Sequence, residues 1–359
     1  MPALLLACFV LSGASGLLLE VVWVRELTHV FGSTTLAIST VLATFMGGLA
    51  LGSWVGGRVA DRLRDPLRGY AVCEAGIGVC AMAVPWILGA YPEANAWLWR
   101  TLGDAPVALA VARLGMSALV LGLPTVLMGA TLPLLSRRVA RAGDDAATIG
   151  RKVGLLYAAN TVGAVLGVVV GGFWLIPMVG VRRTNWIAVV LDLALAAAVA
   201  AWALRARGPG TDTATITETD HDHGSGHVHV HVNDHGGDHE NVHDHVNVDR
   251  SRALVLVAFG LSGALAMSLE VLYSRALSMI IGSSGTSFTL VLAVFLVGLA
   301  AGAASIGRPA ARTTDPLGAL ALVFLGIGVS VGASHLLLDD LPAVRKAIST
   351  RLRRPRIST

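Results

Sequence analysis

Residues 12–35 read SGASGLLLEVVWVRELTHVFGSTT, and residues 262–285 read SGALAMSLEVLYSRALSMIIGSSG. The two stretches align without a gap at an offset of 250. Over 11–58 and 261–308 about 21 of 48 positions are identical, the mark of an internal repeat. Ser12/Ser262, Gly13/Gly263, Glu20/Glu270, Arg25/Arg275, Gly48/Gly298, Gly52/Gly302 and Arg58/Arg308 all match, and the register continues to Pro92/Pro342. A first copy read alone could be taken for a secretory leader. It has no basic segment before its apolar run, however, and its second copy lies deep in the chain, where no leader is cut. The stretch therefore reads as a membrane helix whose glutamate and arginine belong to the working protein.

Composition supports this. Hydrophobic residues make up 54% and charged residues 14% of the 359, and the mean hydropathy is +0.69. Apolar runs of about 20 residues, enough to cross about 30 Å of hydrocarbon, recur along the chain. The net charge of +4 comes from arginines in short loops, which is the bias of cytoplasmic loops in membrane proteins; no nucleic-acid partner is expected. Cys8, Cys73 and Cys80 lie in apolar segments and suggest no disulfide framework.

The runs predict about nine transmembrane helices, over 3–30, 34–57, 68–90, 107–135, 152–178, 185–204, 253–280, 286–307 and 316–338. Four regions follow: a six-helix membrane repeat at 1–207, a linker at 208–249, the first three helices of a second repeat at 250–340, and a basic tail at 341–359. Arginine-rich loops at 58–68 and 137–152 place the N-terminus and the linker in the cytoplasm of a bacterial-type inner (plasma) membrane. The linker is polar and low in complexity, so disorder is expected. Copies of helices 4 to 6 do not follow the second set, so the design is six plus three, with the second half incomplete. We expect a product truncated before the remaining helices.

Three motifs carry a family resemblance: the first repeat copy from Leu11 to Arg62, "LPTVLMGATLPLLSR" from Leu123, and "LYAANTVGAVLGVVVGGFWLIPMVG" from Leu156. The chain resembles the membrane domain of the fused major-facilitator/spermidine-synthase family. The resemblance implies an all-α polytopic membrane protein with a major-facilitator-like repeat, linked to polyamine metabolism. It also implies a soluble aminopropyltransferase-like domain in fuller members. No strand, Gly-rich turn and helix unit for such a domain is seen in this sequence, so no catalytic residues are expected in it.

Glu20 and Glu270 hold the same place in symmetry-related helices, and an intramembrane charge marks a pathway or a partner. They are candidates for attracting a cationic small molecule such as a polyamine. Arg113 is a candidate ion-pair partner for Glu20 at equal depth, and the pair could instead be purely structural. Arg25 and Arg275 are expected to reach the headgroups. Asn160, near mid-membrane, could line a cavity, as could Asp192; helix–helix hydrogen bonds are the plainer reading of both. Glu74, near a helix end, is expected to be wet. "GGRVADRLR" resembles the conformational latch of major-facilitator proteins, with Gly57 for close packing and Asp61 and Arg62 for gating. Its second copy has Ala311 in place of Asp61.

The linker carries His221, His223, His227, His229, His231, His235, His239, His243 and His245 among acidic residues. Imidazoles with carboxylates suit zinc or another divalent metal, bound weakly and at many points. A hydrophilic tether is the alternative. Three functions are thus expected: a transporter-like module in the lipid bilayer for a cationic small molecule, the membrane anchor of an aminopropyltransferase, or a divalent-metal-responsive carrier.

Overall fold

The computed structural model describes residues 3–31, 34–140, 143–205, 241–282, 284–312 and 315–352. They are helical almost throughout. The first half contains α1 (Ala3–Phe31), α2 (Thr34–Arg62), α3 (Pro66–Leu102), α4 (Pro106–Val139), α5 (Ala146–Val170) and α7 (Val181–Arg205). Between the last two, a π turn (Gly171–Leu175) and a single turn, α6 (Ile176–Val179), prolong α5 as one span. The second half contains α8 (Asn241–Ile281), α9 (Ser284–Arg312) and α10 (Pro316–Leu352). Nine helices among the described residues are long and apolar enough to cross a membrane, and no strand occurs among them.

The repeat governs the elements as well as the letters. α2 and α9 begin and end 250 residues apart, and so do α3 and α10. Local signals set the ends. Asp65 caps α3 by accepting from the Leu67 backbone N–H at 3.2 Å, with Pro66 at the first helical position, where its missing N–H costs nothing. Gly180, at φ 86°, takes a left-handed conformation that ends the α5–α6 span and lets the chain turn into α7. The expected spans are met, with extensions. α3 runs on from 90 to Leu102 through Pro92, α10 continues to Leu352, well into the supposed basic tail, and α8 takes in 241–249 of the supposed linker. Residues 206–240 and 353–359 lie outside the described residues.

Two crossings dominate the first half: α2 on α4, and α1 on α5. Both are lined by glycine, which lets backbones approach where lipid supplies no hydrophobic drive. A Cβ at Gly48 would overlap the Thr125 side chain, one at Gly52 the Val126 carbonyl oxygen, and one at Gly56 would lie 2.7 Å from Ala130 Cα. On the other crossing, Gly13 lies on the Asn160 backbone, and Gly163 and Gly167 lie on Val10 and Ala14. Gly57 meets open space instead, so the close packing expected of it is done by Gly56, one residue earlier and so on the α4-facing side. The core gathers Phe9, Tyr70, Leu135 and Leu156 from four helices, with Phe9 and Tyr70 in edge contact at 6.3 Å.

The residues fall into two compact units. One comprises 1–203 with 270–359; the other comprises 204–269. In the first, α9 packs on α5 and the π turn, and Gly172 makes room for Thr289. In the second, the described side chains of α8, such as Leu256, Phe259 and Leu265, are exposed, as suits a lipid-facing surface.

Candidate functional site

Glu20 and Glu270 are buried, at 0% and 2% exposure, and lie within Coulombic reach of each other. None of their four carboxylate oxygens makes a hydrogen bond among the described residues. Buried charges in proteins are usually paired, because desolvation of a lone carboxylate is expensive. Arg25 Nε on α1 is also buried without a hydrogen bond, and so are Trp23 Nε1, three residues from Glu20, and Ser274 Oγ, four residues from Glu270. Helical spacing of three and four puts each of the last two on the face of its glutamate. The result is a buried acidic pair to which no described side chain donates a hydrogen bond.

Arg113 is not that cation. Its Nε donates to Asn95 Oδ1 at 2.9 Å, and its guanidinium lies over the rings of Phe31 at 5.4 Å and Trp99 at 5.9 Å. The Tyr91 hydroxyl donates to the Arg113 carbonyl at 3.4 Å and shares a hydrogen bond with Ser117 at 2.9 Å. The expected Glu20–Arg113 pair is therefore corrected. α4 packs chiefly on α2 and α3, so its arginine is satisfied by α3, whatever its depth. Arg25 is half-buried and its guanidinium packs against Gly285 of α9, while Arg275 is exposed.

A second polar centre lies inside the first six spans. A cavity of about 210 Å³ is lined by residues from α1, α2, α3, α4, α5 and α7, among them Ser12, Glu74, Ile77, Asn160 and Asp192. Glu74 is fully buried and accepts from Ser12 Oγ at 2.6 Å; its Oε2 makes no hydrogen bond. This overturns the expectation of a wet Glu74. α1 covers it, and eight residues into α3 is about 12 Å along the helix axis, beyond the reach of bulk water. Asp192 is 1% exposed and leaves Oδ2 unpaired. It sits over Gly78, one turn beyond Glu74, where an added Cβ would be 3.4 Å from the Asp192 Cβ, and the two carboxyls are within Coulombic reach. Asn160 donates its amide N–H to the Phe9 carbonyl at 3.3 Å, which leaves its side-chain oxygen as an acceptor. The four candidate residues are thus in three places: Glu20 with Glu270, Arg113 beside Asn95, and Asn160 in the cavity. The spacing of Ser12, Ser15 and Gly16 on α1 was the signal that a polar, small-residue face pointed inward there.

At the latch-like loop, Asp61 Oδ1 lies 3.5 Å from Arg137 Nε at the end of α4, both well exposed, and Arg62 is exposed. Lys152 bridges the neighbouring turn, 2.6 Å from Asp144 Oδ2 and 3.3 Å from the Val139 carbonyl. Of the histidines, His221, His223, His227, His229, His231, His235 and His239 lie outside the described residues. His243 and His245 fall in α8, with side chains not described. Among the described residues no three His, Cys, Asp or Glu side chains are grouped to hold a metal ion.

Comparison with known proteins separates two levels of likeness. A polyamine aminopropyltransferase of Corynebacterium efficiens is 29% identical over 194 residues, which cover 53% of this chain and 33% of that protein. This chain thus corresponds to about a third of that relative's length. No solved structure matches. Residues 4–342 match the Major Facilitator Superfamily, nearly the whole chain, and the chain belongs to that family.

Proposed function

We propose that this multi-pass membrane protein is a transporter-type module whose Glu20–Glu270 pair receives a cationic small molecule of the polyamine class. The observation that carries the reading is the burial of two carboxylates within Coulombic reach of each other, with no hydrogen bond to either among the described residues. A ligand that brings positive charge can satisfy both buried carboxyls in their ionised form, and a polyamine brings it at several points along one chain. The likeness to a protein named polyamine aminopropyltransferase supports the choice of polyamine over other cations. The N-terminus and the histidine linker lie on the cytoplasmic side in this proposal, because the arginines of 58–68 and 137–152 flank the spans on one side.

Thermal unfolding of the detergent-purified chain in spermidine and putrescine tests it. A ligand of the folded state raises the midpoint with concentration, by about 2.7 kcal/mol of stability at a hundredfold excess over Kd. The expected result is stabilisation in the native chain and none in Glu20→Gln/Glu270→Gln. Equal stabilisation of both proteins would remove the glutamates from the site. The same relative favours a second reading, a membrane platform for polyamine synthesis, in which aminopropyl transfer would be found in membranes carrying this chain together with its associated proteins.

A further inference from the structure

The cavity inside the first six spans is lined by two buried carboxyls, Glu74 and Asp192. We propose that it is a second, separate binding site, shaped for a small primary alkylammonium ion whose head sits between Glu74 and Asp192 and whose chain lies along the apolar wall. Three features assign it. Glu74 and Asp192 are both more than nine-tenths buried, both line the cavity, and each keeps one carboxylate oxygen without a hydrogen bond among the described residues. Among the described residues no arginine or lysine lines the cavity, so none of them supplies a counter-charge there. The remaining wall is largely apolar, with Phe9, Phe45, Ile77 and Met128 on it.

The chemistry of the ligand follows. A primary ammonium has three N–H donors. Glu74 and Asp192 each offer a free oxygen, and the Asn160 side chain offers its carbonyl, since its amide is committed to Phe9. A bare metal ion would leave the apolar wall uncovered. An apolar cavity of about 150 Å³ admits a molecule the size of benzene, so about 210 Å³ accommodates an aliphatic chain of about four to six carbons. The Tyr70 hydroxyl, which lies within hydrogen-bonding reach of Glu74, and the Cys8 and Cys73 thiols are the other titratable groups around Glu74, and none of them is a cation. All the lining residues belong to one half of the repeat, so this site does not depend on how the second half is seated or on the Glu20–Glu270 reading.

The test uses the full chain in detergent and n-butylammonium as the probe, with n-butanol as its neutral counterpart and sodium chloride at equal ionic strength. The midpoint of thermal unfolding is expected to rise by several degrees with n-butylammonium and to stay put with the other two. Glu74→Gln/Asp192→Asn is expected to abolish the rise; glutamine can keep the bond from Ser12. Gly16→Leu fills the cavity from α1, where a Cβ meets only Met128 Sδ at 3.8 Å, and is expected to abolish it without touching either carboxyl. Glu20→Gln/Glu270→Gln is expected to retain it, which separates this site from the one proposed above. The proposal is overturned if sodium stabilises as well as the amine, or if acid stabilises and the amine does not. It is also overturned if n-butylammonium has no effect on a cooperatively melting native chain, or if the effect survives in Gly16→Leu.

Discussion

Arg113 is held by an amide, two aromatic faces and a helix that packs on its own, and this arrangement is worth more than charge alone. The guanidinium fork donates to Asn95 while its plane rests near Phe31 and Trp99, which an ammonium cannot reproduce. Replacing Arg113 by Met removes a charge-assisted bond and leaves the Asn95 oxygen without its donor, a loss of about 1.5–3 kcal/mol. Arg113→Lys is expected to recover less than half of it. Chemical denaturation of the two variants measures this. Polyamine stabilisation through Glu20 should be unaffected in both; a changed polyamine response in Arg113→Met would mean that the arginine and Glu20 communicate after all. The depth of both residues could be counted from sequence, but which neighbour each one faces could not, because a helix has several faces and the count along its axis does not choose among them.

At the scale of the helix, glycine decides which elements touch. Gly52 on α2 has the Val126 carbonyl and Gly129 in the space of its missing side chain, whereas Gly302, its repeat on α9, has nothing within 4 Å among the described residues. The same residue type at equivalent places thus has opposite tolerance. Gly52→Val is expected to push α2 off α4 and to cost at least the 1–3 kcal/mol typical of overpacking. Gly302→Val is expected to change stability by less than about 0.5 kcal/mol. Paired melting curves of the two variants check it, and equal losses would show that Gly302 is covered in the membrane. The repeat identifies both glycines from the letters alone; only coordinates reveal that one is occupied and the other open.

At the scale of the molecule, α9 packs on α5 and the π turn. The π turn holds one extra residue, which shifts the face that follows. Gly172 within it gives way to Thr289, with a Cβ there only 2.6 Å from the threonine hydroxyl. Gly172→Leu is expected to loosen α9, lower the melting midpoint, and weaken polyamine stabilisation at Glu20–Glu270, whose two members come from different halves. It should leave n-butylammonium stabilisation intact, because the cavity belongs to the first half alone. Loss of both responses together would mean that the halves fold as one cooperative body.

Hydropathy, turn residues and the 250-residue offset suffice for the all-helical membrane class, the spans, the paired lengths of α2 with α9 and α3 with α10, and the pairing of Glu20 with Glu270 as equivalents. All of these are local or periodic properties, carried by consecutive residues. Packing alone settled the rest: that Glu74 is dry under α1, that Arg113 belongs to Asn95, that Gly56 rather than Gly57 meets α4, and that Glu74, Asp192 and Asn160, far apart in the chain, share one cavity. Each of these depends on which helix covers which face, and that choice is made by contacts between residues tens to more than a hundred positions apart, for which a single chain of letters holds no period.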